Sequence, residues 1–313
     1  MRLLVSMGLR PDGRPTEPLA ARLVEVDVGT GRIRRTLAYD TPLPFRSGPA
    51  ADQEFTCAAP WDPVTLLQPT HTEVLWIDHR AWRVVHRVDH SGFHSLHSAV
   101  RRPGGGITVS SAGTDSVLEL SEAGALIAAH VLGRSPAPGV DHRTAHHDAY
   151  KPHAHHPNHA VHRGGDLFVT GLETAACTAL AAGTSVDLGG MAHDGRLREG
   201  LVWFTRVDGR VLGLDPATQA VRVDLDLREL SGTRRLLGWC RGVDVVGERL
   251  FVGMTMLRST THREVARMLL RGEYGRKLPT RVLEIDLSGP RIVRTIPLGN
   301  RAGGTIYGVN ALS

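Results

Sequence analysis

Residues 97–124 read HSAVRRPGGGITVSSAGTDSVLELSEAG, and they contain a strand pattern that recurs along the whole chain. A strand-like run is followed by a glycine turn at 104–106, a strongly apolar run, and the alternating run 117–121 before another turn. Period-two alternation bounded by Gly, Asp and Pro turns is typical of β-hairpins. Two hairpins in tandem predict one four-stranded antiparallel sheet.

The same pattern returns in other parts of the chain, which indicates a repeat architecture. A β-sandwich would also contain many short strands, but it would not repeat one four-strand order several times. The sequence therefore predicts an all-β fold, a six-bladed β-propeller, with five or seven blades as alternatives. The alternating run recurs at 23–27, 74–78, 211–215 and 282–286, and the units begin near positions 2, 55, 94, 155, 193 and 239.

Two segments depart from the repeat. The run 304–311 resembles the opening strand of a unit with nothing after it, so we expect it to join the first blade and close a single domain spanning 1–313. The segment 261–271 predicts a short helical insertion, because Thr261 and Glu264 form a capping box ahead of an apolar stripe. We expect this helix to pack on the side of the propeller, with a lid or a dimer contact as alternatives.

The composition argues against several classes of function. The net charge is +5, from 37 basic and 32 acidic residues, but the arginines are scattered along the chain, whereas nucleic-acid binders cluster them. No stretch approaches the ~20 apolar residues of a membrane span. Three cysteines without CxxC spacing, and no signal peptide, favour a reducing, cytoplasmic location. We expect a small-molecule partner, with no nucleic acid and no membrane.

The segment 141–159, DHRTAHHDAYKPHAHHPNH, is unusually rich in histidine: it holds seven of the 17 in the chain. Imidazole is the commonest protein ligand for transition metals, and its charge changes near neutral pH. This loop therefore predicts a metal site or a proton-handling site, with a solvated surface loop as the alternative.

Aligning FHSLHSAV in the third unit with AHHPNHAV in the fourth pairs His97 with Asn158, and the same register adds His193 and Cys240. The inner strands of a propeller line one axis, so these four residues would converge and supply the donors that a transition ion needs. We expect iron or copper ahead of zinc, since the donors are rich in imidazole and poor in carboxylate. The predicted metal ligands are His94, His97, His153, His155, His159 and His193.

Three further residues are candidates for catalysis. Asp194 is a possible general base or a partner that orients a ligand. Arg241 and Tyr307 stand at blade entrances, where they could bind an anionic group of a substrate. Cys240 is more simply a buried thiol than a nucleophile. Histidines of outer strands and turns, such as His71 and His86, are expected to have no functional role.

The units HSAVRRPGGGITVSSAGTDSVLELSEAG and HPNHAVHRGGDLFVT resemble the six-bladed propeller superfamily, in its arylsulfotransferase-like, NHL and strictosidine-synthase-like forms. The resemblance covers most of the chain as a blade pattern. It implies that His97 or His159 is a catalytic channel histidine.

The leading hypothesis is a metal-dependent enzyme that performs redox or oxygenase-type chemistry on a small organic molecule. The second is a metal-free lyase, hydrolase or transferase in which channel histidines act as acid and base. The third is a non-catalytic propeller that binds a peptide or protein.

Overall fold

A computed structural model describes residues 1–9, 20–42, 53–133, 139–146, 149–233, 237–256, 278–298 and 304–312. These residues form six four-stranded antiparallel sheets, and among them lie one short α-helix (Leu227–Leu230) and one 3-10 turn (His142–Thr144). The predicted all-β, six-bladed propeller is thereby confirmed. The helix predicted at 261–271 lies outside the described residues.

Each sheet forms one blade, and its strands are consecutive in sequence except in blade 1, where the last strand of the chain pairs with the first. Blade 1 contains β1 (Arg2–Leu9), β2 (Ala20–Asp27) and β3 (Ile33–Tyr39). Blade 2 contains β4 (Ala59–Pro60), β5 (Thr65–Pro69), β6 (Glu73–Asp78) and β7 (Arg83–Asp89). Blade 3 contains β8 (Leu96–Arg101), β9 (Ile107–Ser111), β10 (Ser116–Leu120) and β11 (Leu126–Val131). Blade 4 contains β12 (Pro157–Arg163), β13 (Asp166–Gly171), β14 (Ala176–Ala179) and β15 (Thr184–Asp187). Blade 5 contains β16 (Ala192–Arg198), β17 (Leu201–Arg206), β18 (Arg210–Asp215) and β19 (Ala220–Asp226). Blade 6 contains β20 (Trp239–Val246), β21 (Arg249–Thr255), β22 (Arg281–Asp286) and β23 (Arg291–Pro297). The final strand is β24 (Gly304–Leu312), which completes blade 1.

The innermost strands are β4, β8, β12, β16, β20 and β24, and each contacts the next in this order. The ring closes where Gly308 of β24 lies against Cys57 and Ala58, just before β4. The outermost strands, such as β3 and β11, alternate exposed and half-buried residues, as expected for one face against a core and one in water. β24 runs antiparallel to β1, with Val309 opposite Val5. Residues near the start of each inner strand therefore meet around one axis.

The core lies between adjacent blades. Val5 and Met7 of blade 1, together with Ile306 and Val309 of β24, pack against Phe251 of blade 6, and all five are at most 1% exposed. Burying one side chain of this size contributes about 1.5–3 kcal/mol. These contacts join the two ends of the described chain to the last blade.

The turns explain why Asp so often ends the third strand of a blade. The Asp78 carboxylate accepts hydrogen bonds from the backbone N–H groups of Arg80 and Ala81, each at 2.8 Å. These backbone bonds hold the pKa of Asp78 below its usual value. Asp27, Asp215 and Asp286 close the corresponding turns of their blades in the same way.

No helix in the described part of the chain has the length and apolar character needed to cross a membrane.

Candidate functional site

β-Bulges on the inner strands bring polar side chains to one end of the axis. The pairing register shifts at His97 in β8, at Asn158 in β12, at 241–242 in β20 and at Tyr307 in β24. A bulge re-aims the side chain that it carries, and bulges are enriched at functional sites. Together with His193 of β16, these residues form what we call the upper cluster: His97, Asn158, His193, Arg241 and Tyr307.

Arg241 lies between two uncharged rings of this cluster. Its Nη2 donates a hydrogen bond to Nδ1 of His97 at 2.9 Å, and its Cζ lies 4.4 Å from the centroid of the Tyr307 ring. A guanidinium over an aromatic face is attracted by the ring quadrupole. Tyr307 is itself fixed, because its hydroxyl donates to Oε2 of Glu54 at 2.6 Å. The planar guanidinium is therefore held in one orientation.

The contact with Arg241 fixes the tautomer of His97. A guanidinium has only donors, so Nδ1 of His97 must accept and the ring proton resides on Nε2. Burial, the charge of Arg241 and the neighbouring histidines hold the pKa of His97 well below its usual value, so the ring is neutral at pH 7. His97 therefore presents an N–H donor at Nε2.

His193 has the opposite tautomer. Asn158 Nδ2 donates to the carbonyl of Ala192 at 3.2 Å, which turns the amide oxygen toward His193. That oxygen can only accept, so Nδ1 of His193 carries the proton in the 3.2 Å bond between them. Burial and the charge of Arg241 lower the pKa of His193 well below its usual value. Its Nε2 therefore keeps a lone pair at neutral pH and can act as a base.

The sequence did not identify two histidines that border the upper cluster. The ring of His156 lies 4.7 Å from that of His97, and its pKa is lowered to about 3 by burial and by the charges of His153 and Arg241. His71 lies 3.4 Å from Oε1 of Glu54, and its charge is one cause of the lowered pKa of His97. Both occupy loops, where strand register gives no information about direction.

One aspartate holds the loop that carries His156. The carboxylate of Asp115 accepts from the backbone N–H groups of Ala154, at 2.6 Å, and His156, at 2.7 Å. The sequence offered one usable signal for this arrangement, an aspartate in the turn of blade 3 directly before an alternating strand. Asp115 thereby places the histidine-rich loop of blade 4 against His97 of blade 3.

A second group of polar residues, the lower cluster, lies deeper on the same strands. Arg196, Asp244 and Asn310 each follow a member of the upper cluster by three residues, on β16, β20 and β24. Arg196 Nη1 donates to Asn310 Oδ1 at 2.6 Å and lies 3.5 Å from Asp244 Oδ2. All three are at most 4% exposed. An ion pair therefore fills the interior below the upper cluster.

Asp194 links the two clusters and is itself buried. Its Oδ2 accepts from the Thr205 hydroxyl at 2.6 Å and from the backbone N–H of Gly242 at 2.9 Å. Burial raises its pKa from the usual value. In this arrangement the carboxylate holds the bulge that carries Arg241. The roles predicted for Asp194, a general base or a residue that orients a ligand, stay predictions.

The ring position predicted from sequence was wrong by one residue in blade 6. Cys240 pairs with Met254 and is fully buried in an apolar cluster, and Arg241 takes the place predicted for it. The bulge at 241–242 shifts the register, and a shift of one residue reverses which side chain faces the axis. Burial raises the pKa of the Cys240 thiol well above its usual value, as expected for an unreactive core cysteine.

The structure does not gather the six predicted ligands around one point. His94 packs edge-on to Tyr150 at 4.9 Å, and burial and the charge of His71 lower its pKa to about 4. His159 pairs with Thr170 and lies near the charge of Arg196, which together with burial lowers its pKa to about 3. Of the predicted set, only His97 and His193 belong to the upper cluster.

The two remaining predicted ligands lie on the loop of blade 4. The ring of His153 lies 4.8 Å from that of His156, and burial lowers its pKa. His155 donates its backbone N–H to Asp115 at 3.2 Å. Within the described ranges, no group of three His, Cys, Asp or Glu side chains is arranged to hold a metal ion. His147 and Asp148 of the same loop lie outside those ranges.

The sequence matches no protein-family model and no curated protein. Solved structures share its fold. A protein of unknown function from Bacteroides caccae is 14% identical over 98% of this chain and 97% of that one, with a TM-score of 0.62. A streptogramin B lyase is 9% identical over 96% and 84%, and the virginiamycin B lyase of Staphylococcus aureus is 8% identical over 96% and 90%, both with TM-scores of 0.52. At these identities the likeness concerns the fold alone, and the chain is a six-bladed β-propeller.

Proposed function

We propose that this propeller is an enzyme that transfers protons on a small organic molecule at the upper cluster, with His193 as general base and His97 as hydrogen-bond donor. The observation that carries the proposal is the pair of opposite tautomers, each fixed by a partner of its own. A base and a donor are the two groups that a lyase, hydrolase or transferase needs to remove a proton and stabilise the charge that develops. Two structures with this fold are named as lyases, which agrees with this class of reaction.

The site also leaves these two groups available. Nε2 of His97 and Nε2 of His193 have no hydrogen-bond partner among the described residues. Both atoms remain accessible to solvent, whereas Nδ1 of His156 and Nδ1 of His159 are fully buried. Because Arg241 and burial keep both rings neutral, neither has to lose a proton before it acts. An unprotonated Nε2 is the form of imidazole that accepts a proton in general-base catalysis.

The transition-metal hypothesis remains the alternative proposal. Iron or copper bound by histidines would place redox chemistry at the same axis. Its support is the density of histidine in the loop of blade 4, part of which lies outside the described residues. The described histidines favour acid–base chemistry, since Arg241 donates to Nδ1 of His97 and so leaves the ring proton on Nε2, where a metal ligand would need a lone pair.

The first test is a histidine side-chain ¹⁵N NMR spectrum at pH 7.5, which needs no substrate. We expect His193 protonated on Nδ1, His97 protonated on Nε2, and Asn158→Leu to alter the signal of His193 alone. Solvent-exposed His86, whose Nε2 lies 3.0 Å from the carbonyl oxygen of Glu122, provides an internal reference for a ring outside the site that is protonated on Nε2. An imidazolium at either position, or the reverse pair of tautomers, contradicts the proposal.

The second test is turnover of a panel of small carboxylates, esters and lactones, with virginiamycin B included, followed by chromatography. For any compound that is converted, His193→Leu should lower the rate about 10²–10⁴-fold, the usual contribution of a general base. His86→Ala is the matched control and should not change it. Activity that is lost on chelation and restored by iron or copper would favour the metal alternative, and a specific protein partner captured without any turnover would favour a binding propeller.

A further inference from the structure

Arg241 forms no ion pair with a carboxylate among the described residues. Its two contacts are the neutral ring of His97 and the face of Tyr307. The carboxylate of Asp194 accepts hydrogen bonds from the Thr205 hydroxyl and from the backbone N–H of Gly242 instead. Arg196 and Arg198 differ from Arg241 in this respect, because both pair with Asp244, at 3.5 and 2.7 Å.

The three histidines that feel the charge of Arg241 add no positive charge of their own at pH 7. His97, His156 and His193 have pKa values far below the usual value for histidine, and the charge of Arg241 is among the causes for each. The guanidinium therefore acts on its histidine neighbours as a positive charge without an ion-pair partner. Part of its surface, like that of His97, remains exposed.

We propose that Arg241 binds the carboxylate of the small molecule on which the upper cluster acts. The guanidinium is planar, is held in one orientation, and matches a carboxylate through two parallel N–H···O bonds. A single positive charge balances a single negative one. A phosphate dianion would ask for a second cation, and the described cluster contains none. The substrate class is therefore a small organic acid whose reacting atom lies beside its carboxylate, within reach of His193.

The proposal rests on the proposed function for the reaction but not for the binding, so the two can fail separately. The probe is sodium acetate, compared with its neutral isostere acetamide and with inorganic phosphate, each titrated at constant ionic strength. The readout is the ¹⁵N signals and the titration of His97 and His193. The variants are Arg241→Gln and, as the matched control, Arg222→Gln, which removes an exposed arginine that pairs with Asp215 at 3.4 Å.

We expect acetate, but not acetamide, to shift both histidine signals and to raise both pKa values, because the bound carboxylate neutralises Arg241. Arg241→Gln should weaken acetate binding at least about tenfold, which is 1.4 kcal/mol, and Arg222→Gln should not change it. An equal response to acetamide, undiminished binding by Arg241→Gln, or no response to acetate overturns the proposal. Tighter binding of phosphate than of acetate overturns the assignment to a carboxylate. Acetate binding together with the wrong histidine tautomers would keep this proposal and refute the acid–base function.

Discussion

Arg241 and Arg196 lie on adjacent inner strands, and the chain neutralises one of them and not the other. Arg196 belongs to the lower cluster, where its two Nη atoms pair with Asp244, Asn310 and the carbonyl of Ala58. Arg241 belongs to the upper cluster, where it contacts only uncharged rings. A buried cation that has a buried counter-ion is part of the fold. One that is fixed in place but left without a counter-ion is arranged to meet a ligand.

The largest expected effect is on the paired arginine. Arg196→Met should lower the free energy of unfolding by about 3 kcal/mol or more, because it removes the donor to buried Asn310 and one of the two arginines that pair with buried Asp244. Arg198 still pairs with Asp244 at 2.7 Å, which keeps the loss at the lower end of the range for broken buried pairs. Urea denaturation followed by tryptophan fluorescence measures the change.

The matched control for that measurement is Arg222→Met, at an exposed ion pair that should contribute at most about 1 kcal/mol. Equal losses in the two variants would mean that the lower cluster does not stabilise the fold through its ion pair.

The blade order and the inner-strand residues were predictable, because a period of two and a turn at Asp or Gly are properties of local sequence. Even the weak strand β14 (Ala176–Ala179) forms, since β13 and β15 pair with it on both sides. The register of His97 and His193 followed from aligning the apolar strands that pair with them. The positions of His97 and His193 could therefore be predicted from the repeated blade pattern alone.

The rest of the site depends on contacts that no single repeat contains. Arg241, and not Cys240, faces the axis because of a β-bulge in β20, and the apolar pattern of the local sequence does not reveal a bulge. His156 reaches His97 only because Asp115, in the previous blade, binds the backbone of its loop. The tautomers require knowing which way the Asn158 amide points, and that is set by the carbonyl of Ala192. Each is a long-range contact, so each appears only in three dimensions.

A smaller effect on stability is expected at Asp194, which lies between the upper cluster of Arg241 and the lower cluster of Arg196. Asp194→Asn keeps the shape, but the two hydrogen bonds that Oδ2 accepts, from Thr205 and from Gly242, would then end on a neutral amide oxygen instead of a carboxylate. We expect a loss of about 1 kcal/mol in the free energy of unfolding, because a hydrogen bond to a charged group contributes about 1.5–3 kcal/mol and a neutral one about 0.5–1.5 kcal/mol. Because the N–H of Gly242 adjoins Arg241, the same variant should also weaken acetate binding.

Thr205→Val separates these two consequences. It removes the hydroxyl that donates to Asp194 and leaves the bond to Gly242 in place, so it should reduce stability without changing acetate affinity. Urea denaturation and the acetate titration, run on both variants, compare them directly. If Asp194→Asn left the affinity unchanged, or if Thr205→Val lowered it equally, the carboxylate would not be what positions Arg241. The unpaired arginine would then owe its orientation to Tyr307 and His97 alone, and the lower part of the axis would support the fold without shaping the site above it.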